Sequence, residues 1–205
     1  MFTLRPLAAA DVDAAGALLG RAFRDNPVYR AVLAHLSDEA RAAAVARVNR
    51  AFTVAAVRYE TAEALWVAGR MACVALTCAP GQYPHPPFAF VVHAMACATT
   101  GWRGIRNFLR TDAYVTKRHP REPHHYLFVL GVEPELQGGG LGSSYLRTLS
   151  ERADAAGVPC YLETDRPTSV ALYRRAGYDV VTEEDVAGVK GLHIWTMRRP
   201  ARAPH

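Results

Sequence analysis

Residues 131–146 read GVEPELQGGGLGSSYL, and four of the five positions from Gly138 to Gly142 are glycine. The glycines separate an apolar run from a stretch with helical periodicity. Glycine in regular structure costs roughly 0.5–1 kcal/mol relative to alanine, so this density indicates a requirement beyond chain reversal. A glycine-rich turn that leads from a strand into a helix presents backbone N–H groups and the positive end of the helix dipole. The stretch therefore predicts an anion-binding turn.

Three phosphate-binding patterns can be compared with this turn. The nucleotide P-loop requires Lys and then Ser or Thr after its glycines, but here Leu-Gly-Ser follows. The dinucleotide pattern G-x-G-x-x-G fails because Ser143 or Tyr145 stands where the third glycine is needed. The acyl-CoA pyrophosphate pattern Q/R-x-x-G-x-G/A is satisfied in register by Gln137, Gly140 and Gly142.

The size and composition of the chain predict a single cytoplasmic domain. It has 205 residues, half of them apolar, which suits one domain, or one domain with an elaborate insertion, and a substantial core. No apolar run approaches the ~20 residues of a membrane span, and the N-terminus lacks the pattern of a signal peptide. The four cysteines, Cys73, Cys78, Cys97 and Cys160, have no metal-ligand spacing. We expect free thiols in a reducing compartment and no bound metal.

The formal net charge is +5 and the sequence pI about 9.2. No nucleic-acid recognition motif accompanies this charge, so we expect no nucleic-acid partner. The charge suits an anionic small molecule equally well. Composition does not decide between a monomer and a homodimer.

Periodicity predicts a mixed α/β sheet. The predicted order is strand, helices, hairpin, helices, strand, helix, strand, helix, strand and strand. FTLRPL opens the chain as a strand, and the first helix is predicted to stop at the Asn-Pro pair 26–27. Ser37 is predicted to cap the next helix. A tight Gly-Arg connection at 69–70 joins a hairpin, and residues 88–115 form one or two helices with a break near Gly101.

The turn in its context resembles the cofactor loop of the GNAT superfamily of N-acetyltransferases. After the helix, PCYLETDRPTSVALYRRAGYDVV (159–181) is similar to the next strand, the helix bearing a Tyr and the Gly-Tyr that opens the following strand. Residues 117–200 look most like puromycin N-acetyltransferase and its bacterial relatives. Residues 1–80 match more loosely, and residues 81–116 contribute almost nothing.

The resemblance implies a fold, a domain organisation and a co-substrate. The fold is a single-domain GNAT-type α/β structure. Its mixed, mostly antiparallel sheet has a central splayed pair of parallel strands and is flanked by helices. The domain would span residues 1–205, with the cofactor-binding half at about 117–200. Acetyl-CoA would serve as co-substrate, without a metal.

The resemblance also implies the cofactor-binding residues. The central strand would bind the pantetheine and the thioester carbonyl, and the turn would bind the pyrophosphate. Ser169 occupies the position of an Asn that contacts the pantetheine in the family, although a simple helix N-cap is an open alternative. The implied residues are Leu130, Gly131, Val132, Gln137, Gly138, Gly139, Gly140, Leu141, Gly142, Ser143 and Ser169.

Two residues are the catalytic candidates. By the resemblance, Tyr173 matches the Tyr that protonates the leaving thiolate. A phenol of pKa ~10 keeps its proton at pH 7 and can therefore donate it. The alternative is that Tyr173 only packs its helix onto the sheet. Glu163 ends a strand beside that helix and can act as general base, anchor a cationic acceptor or satisfy backbone N–H groups. Three histidines are rival bases: His124, His125 and His193.

For the acceptor, Asp25 and Tyr29 can line the mouth of the site or belong to an ordinary loop. The first functional hypothesis is acetyl transfer to the primary amine of a small molecule by direct attack in a ternary complex. The alternatives are a protein N-terminal or lysine acetyltransferase and a non-catalytic acyl-CoA-binding sensor. Retention of both the glycine turn and Tyr173 favours catalysis over sensing.

Overall fold

The computed structural model describes residues 2–202. Its strands form one sheet of seven, in the order β1-β2-β3-β4-β5-β7-β6. The strands are β1 Phe2–Pro6, β2 Ala62–Val67, β3 Arg70–Cys78, β4 His125–Val132, β5 Cys160–Thr164, β6 Asp179–Asp185 and β7 His193–Arg199. The helices are α1 Val12–Ala22, α2 Pro27–Val32, α3 Asp38–Arg58, α4 Pro87–Ala98, α5 Gly101–Arg118, α6 Leu141–Ala156 and α7 Pro167–Arg175.

All neighbouring strands run antiparallel except β4 and β5, which are parallel. This central pair is hydrogen-bonded only between residues 125–127 of β4 and 160–162 of β5. Beyond those residues the two strands separate, so the ends of β4 and β5 flank an opening in the sheet. The predicted fold class, including the splayed parallel pair, is confirmed.

The sheet is covered on both faces, which explains the continuous apolar runs in its central strands. In β3, Cys73 and Ala75 pack against α6 and α7, while Val74 and Leu76 pack against α1. Successive side chains of a strand point to opposite faces, so both sets are buried.

Two local predictions are confirmed by the helix ends. The Ser37 hydroxyl accepts a hydrogen bond from the Ala40 N–H at the start of α3. The ambiguous region 88–115 forms α4 and α5, which are separated at Thr99–Thr100 just before Gly101.

Two local predictions were wrong. The hairpin turn is Ala68-Gly69, where both residues have positive φ, and Arg70 already belongs to β3. The Asn-Pro pair starts a further helix, α2, as well as ending the loop after α1. The Asn26 side chain caps Val28, and Pro27 takes the first helical position, where its missing N–H costs nothing.

Arg199 anchors the last strand to the end of α6. Its guanidinium donates two hydrogen bonds to Asp154, at 2.8 and 2.6 Å, and lowers the pKa of Asp154 from 3.8 to about 2. Because the pKa in the folded chain lies below the unfolded value, this stabilisation is present above pH 4 and is lost as the pH falls towards 2.

We expect Asp154→Asn to lower the free energy of unfolding at pH 7, because the charged pair with Arg199 is lost. The loss should be only about 1 kcal/mol, since solvent partly screens the carboxylate. The difference in melting temperature from wild type should vanish near pH 2. Circular dichroism melts at both pH values test this, and an equal difference at pH 2 contradicts it.

Among residues 2–202, no helix is both long and apolar enough to traverse a lipid bilayer.

Candidate active site

A cleft of about 840 Å³ opens where β4 and β5 separate. One side is formed by the end of β4, the glycine turn and α7, and the other by the α1–α2 junction and the paired helices α4 and α5. Ligand pockets commonly measure about 300–1,000 Å³, so this volume falls in the range of a ligand site. The cleft brings together most of the residues that the sequence nominated.

Leu130, Gly131 and Val132 end β4 and line the cleft. A Cβ on Gly131 would lie 2.5 Å from the Leu19 side chain and 3.1 Å from Phe23. Glycine is required here because α1 packs directly on the strand, and this close approach forms the floor of the cleft.

The glycine turn runs from the end of β4 into α6. Gly138 and Gly140 both have φ +82°, a left-handed conformation that side chains other than glycine rarely adopt. Gly140 is the N-cap of α6, and no side chain caps the helix. The first N–H groups of an α-helix have no partner within it, so the N–H groups at the start of α6 are available to an anion.

Gln137 lies beside this turn, and its side chain donates a hydrogen bond to the Val132 carbonyl at 3.1 Å. Its amide therefore ties the turn to the end of β4. Most of the turn lines the cleft directly, namely Gln137, Gly138, Gly140, Leu141, Gly142 and Ser143. Gly139 is not among the lining residues; its N–H bonds to the Leu136 carbonyl at 3.3 Å.

The helix α7 contributes Ser169 and Tyr173 to the cleft. Ser169 is the third residue of the helix and Arg166 is the N-cap, so the interpretation of Ser169 as an N-cap was wrong. Tyr173 is 8% exposed, and burial raises the pKa of its hydroxyl. The phenol accordingly keeps its proton at neutral pH.

Glu163 lies near the end of β5, with its side chain 11% exposed. The Tyr126 hydroxyl donates a hydrogen bond of 2.7 Å to its Oε2. Burial, followed by the neighbouring carboxylate, raises the pKa of Tyr126. Tyr126 therefore stays a donor and fixes the orientation of the Glu163 carboxylate, which lines the cleft.

The loop after α1 contributes different residues from those predicted. Tyr29 lines the cleft and accepts a hydrogen bond from Asn49 at 3.1 Å. Asp25 lies at the surface with its side chain 66% exposed, 3.5 Å from Arg30, and is not a lining residue. Asn26 lies in the cleft instead, because α2 begins there and turns its capping side chain inward.

The three rival histidines do not line the cleft. His193 on β7 is paired with Asp185 on β6, with 2.8 Å between His193 Nδ1 and Asp185 Oδ1. Burial lowers the pKa of His125, at the start of β4, and that of His124 just before it. Of the four candidate bases, only Glu163 lines the cleft.

Three site residues were missed by the sequence analysis: Tyr126, Asp112 and Asp165. Asp165 directly follows β5 and accepts hydrogen bonds from Asn26 and the Val28 N–H, at 3.0 and 2.7 Å. Burial raises the pKa of both aspartates. Asp165 was the most detectable, because ligand sites of α/β sheets lie at the carboxyl ends of parallel strands. No local pattern marked the other two.

The remaining wall of the cleft is apolar. It comes from residues 81–116, the region with the weakest resemblance, and includes Phe90, Ala94, Ile105, Phe108 and Leu109. Charged lining residues fall into two groups: the acids Asp112, Glu163 and Asp165, and the bases Arg166 and Arg175 on or beside α7. The lining of the cleft therefore combines acidic, basic and apolar side chains with the N–H groups at the start of α6.

Comparisons with known proteins agree with this geometry. A model of the Acetyltransferase (GNAT) family matches residues 93–178. The chain is 31% identical to the N-alpha-acetyltransferase RimI of Mycobacterium tuberculosis over 136 residues, which cover 60% of this chain and 80% of that protein. It is 37% identical over 87 residues to a mycothiol acetyltransferase of Saccharomonospora viridis.

The match to the mycothiol acetyltransferase covers 37% of this chain and only 28% of that protein. Among solved structures, histone acetyltransferase HPA2 and related acetyltransferase from Corynebacterium glutamicum has a TM-score of 0.65 and 19% identity. That superposition covers 99% of this chain and 98% of the other, which supports the fold alone. The family match and the extent of the similarity to RimI agree with the sheet and the glycine turn, and the chain belongs to the GNAT family of acetyltransferases.

Proposed function

We propose that this protein transfers an acetyl group from acetyl-CoA to the primary amine of a small molecule, by direct attack in a ternary complex. One observation carries the proposal: a single cleft runs from the uncapped start of α6 to the carboxylate of Glu163. The anion site and the base therefore lie in one cavity, as transfer between two bound substrates requires.

The residues present fit acetyl-CoA. The N–H groups at Gly140–Ser143 suit the pyrophosphate, and the end of β4, where it has left β5, suits the pantetheine. Arg166 and Arg175 add positive charge. Acetyl-CoA supplies a thioester whose carbonyl carbon is open to attack by a neutral amine.

Two proton transfers by this chain's residues complete the reaction. Glu163 removes one proton from the ammonium group, so that the nitrogen lone pair can form the new C–N bond. When the C–S bond breaks, Tyr173 gives its proton to the sulfur, and the nitrogen's surplus proton restores the phenol. The products are the amide, the CoA thiol and one proton released to solvent.

The acceptor pocket suits an amine with an apolar body. Asp112 and Glu163 can receive the ammonium group, and the side chains of α4 and α5 supply an apolar wall. We infer an acceptor with an aromatic or aliphatic group, of the kind that puromycin carries. Such an acceptor is consistent with the resemblance of residues 117–200 to puromycin N-acetyltransferase and its relatives.

A protein N-terminal acetyltransferase is the second candidate, favoured by the similarity to RimI across 80% of that protein. The acceptor pocket favours the small molecule, because it is walled by apolar helix side chains. The test is release of the CoA thiol from acetyl-CoA across puromycin, simple aliphatic and aromatic primary amines, polyamines and an N-terminal peptide library. Turnover of peptides alone replaces the small-molecule proposal, and absence of turnover together with tight acetyl-CoA binding favours a sensor.

Glu163→Gln should lower kcat/KM for the correct amine roughly 10²-fold at pH 7, the lower end of the contribution of a general base, since the amide cannot take up a proton. The loss should be greatest at low pH, where the amine arrives as ammonium, and should shrink as the pH approaches the amine's own pKa. A kcat/KM profile between pH 6 and 10 measures this. An equal loss at every pH would indicate that Glu163 only binds the acceptor.

A further inference from the structure

Behind Glu163, on the side away from the cleft, two histidines form a hydrogen-bonded pair. His119 Nε2 lies 2.9 Å from His124 Nε2, and His119 Nδ1 lies 3.8 Å from Glu163 Oε1. Neither His119 nor His124 lines the cleft. The chain of polar atoms therefore leads from the acceptor pocket through His119 to His124, which lies beside the exposed Glu122.

The position of His119 follows from the sequence around it. It is the C-cap of α5 and precedes Pro120, with extended φ −63° and ψ 132°. A residue before proline is disfavoured in the helical conformation, so α5 ends there. The turn carries the His119 side chain beneath β5, where it is 4% exposed.

Aromatic rings hold the His119 imidazole in place. Tyr83 stacks on it at 3.6 Å between ring centroids, with an angle of 24° between the planes. Tyr126 and Tyr161 meet it edge-on at 4.7 and 5.0 Å. With this packing and its bond to His124, the ring has a fixed orientation towards Glu163.

The hydrogen bonds define which nitrogens carry hydrogen. His124 Nδ1 lies 2.7 Å from the Glu122 carbonyl oxygen, which only accepts, so this nitrogen donates. Burial is the main cause that lowers the pKa of His124, so the ring is neutral and its Nε2 accepts. His119 Nε2 must then donate to it, which leaves Nδ1 of a neutral His119 without hydrogen.

Two acceptors therefore face each other, His119 Nδ1 and Glu163 Oε1. Among the described residues, neither atom has a hydrogen-bond partner. Their separation of 3.8 Å is longer than a hydrogen bond, so transfer of a proton between them requires a rotation of the carboxylate towards His119. One added proton would join them, and the reaction supplies one in every turnover.

We propose that His119 is a proton-relay residue, which takes the proton that Glu163 removes from the acceptor ammonium group and passes it through His124 towards solvent. The inference rests on the proposed function, because it uses that reaction's proton. It adds a residue that acts through Glu163 and has no contact with either substrate.

The proton moves in balanced steps. An N–H bond of the ammonium breaks and an O–H bond forms on the cleft side of the Glu163 carboxyl group. The carboxyl group then rotates and brings the protonated oxygen to the buried position that faces His119. That proton then passes to His119 Nδ1, which gives an imidazolium and restores the carboxylate. Transfer from His119 Nε2 to His124 Nε2, with release of the proton on His124 Nδ1 to water, returns a neutral pair. The tautomers are then reset by reorientation of protons.

The pH dependence of this unit is set by its surroundings. Several titratable groups face this unit from the neighbouring elements. They are Tyr83 and His85 before α4, Tyr114 on α5, His125 and Tyr126 on β4, Tyr161 on β5, and Glu122 beside His124. Burial is the first cause that raises the pKa of each of the four tyrosines. It also lowers the pKa of His85. The four tyrosines therefore keep their protons at pH 7, and the burial that lowers the pKa of His85 and of His125 keeps both rings neutral.

The kinetic test is His119→Gln in the full chain. A glutamine can keep the hydrogen bond to His124 but cannot take up a proton. We expect kcat/KM for the amine to fall roughly tenfold at pH 7, below the range of a direct general base, with KM for acetyl-CoA unchanged. The loss should narrow above the amine's pKa. The matched control is His193→Gln on β7, which should retain the wild-type profile.

A merely structural role for His119 would lower activity equally at every pH, and that outcome overturns the relay. So does a wild-type pH profile in His119→Gln. Melting curves of both variants identify loss of folding. If His119→Gln is unfolded, nuclear magnetic resonance of the wild-type chain decides between a relay and a structural role for His119.

The second measurement needs no substrate. Ring-nitrogen shifts should give hydrogen on His124 Nδ1 and His119 Nε2. The His119 Nδ1 signal and the Glu163 carboxyl signal should titrate as a coupled pair, and Glu163→Gln should alter the His119 titration. Independent titrations overturn the relay even if the chain acetylates amines. If no amine is acetylated, the proposed function fails, and coupled titration would still identify the proton-sharing pair.

Discussion

Tyr173→Phe is expected to lower kcat roughly 10²-fold, the lower end of the contribution of a general acid. The change removes one hydroxyl and almost no volume from a side chain that is 8% exposed, so packing of α7 on the sheet should persist. Without the phenol, the thiolate must leave unprotonated or take its proton from water. The KM for acetyl-CoA should stay nearly unchanged, because the role proposed for the hydroxyl is to protonate the leaving sulfur and not to bind the co-substrate.

The matched control is Tyr178→Phe. Tyr178 is also buried, and its ring lies 5.8 Å from that of Tyr173, yet it does not line the cleft. We expect its kcat to remain at the wild-type value. Steady-state kinetics combined with a single-turnover measurement separates chemistry from product release. An unchanged chemical step in Tyr173→Phe would assign the proton transfer to another donor.

Gly142→Val is expected to abolish stabilisation by acetyl-CoA while leaving the unliganded fold intact. A Cβ at this position would lie 3.9 Å from the side chains of Leu130, Val132 and Leu172, which is ordinary contact. The valine methyl groups would nevertheless occupy the cleft beside the first N–H groups of α6. The fold thus tolerates a valine side chain at position 142, whereas the binding of acetyl-CoA should not.

Thermal denaturation measures this effect. At 100 times its Kd, a ligand that binds only the folded chain adds about 2.7 kcal/mol, which corresponds to roughly 5–10 °C for a domain of this size. Wild type should show this increase and Gly142→Val none. Glu151→Val is the control for a β-branched residue on an exposed site of the same helix, and should respond as wild type. A normal increase in Gly142→Val removes the turn from the proposed binding site.

The sequence predicted the glycine turn well but not the surroundings of Glu163. The turn was predictable because its requirements are local: positive φ at Gly138 and Gly140, uncapped N–H groups and fixed spacing from Gln137. Its neighbours in the chain are also its neighbours in space. The cap at Ser37 was predictable for the same reason, since capping joins residues a few positions apart.

Predictions about the acceptor side were less complete. Asp25 and Tyr29 are four residues apart, yet only Tyr29 lines the cleft. Helix α2 begins directly after Asn26 and turns the Tyr29 side chain into the cleft, while the Asp25 side chain stays in solvent. Sequence reasoning treated the Asn-Pro pair as a stop, whereas the hydrogen bonds from Val28 and Asn26 to Asp165 join this loop to the end of β5.

The sequence by itself determined the family resemblance, the order of the main elements, the glycine turn and the nomination of Tyr173 and Glu163, because each depends on residue type and spacing along the chain. The tertiary structure alone decided what surrounds Glu163. Tyr126 is 37 positions away from it, and His119 reaches it from the end of another helix. Such contacts arise when β4 and β5 pair and α5 ends against them, and no local pattern encodes the distance between side chains that meet across a sheet.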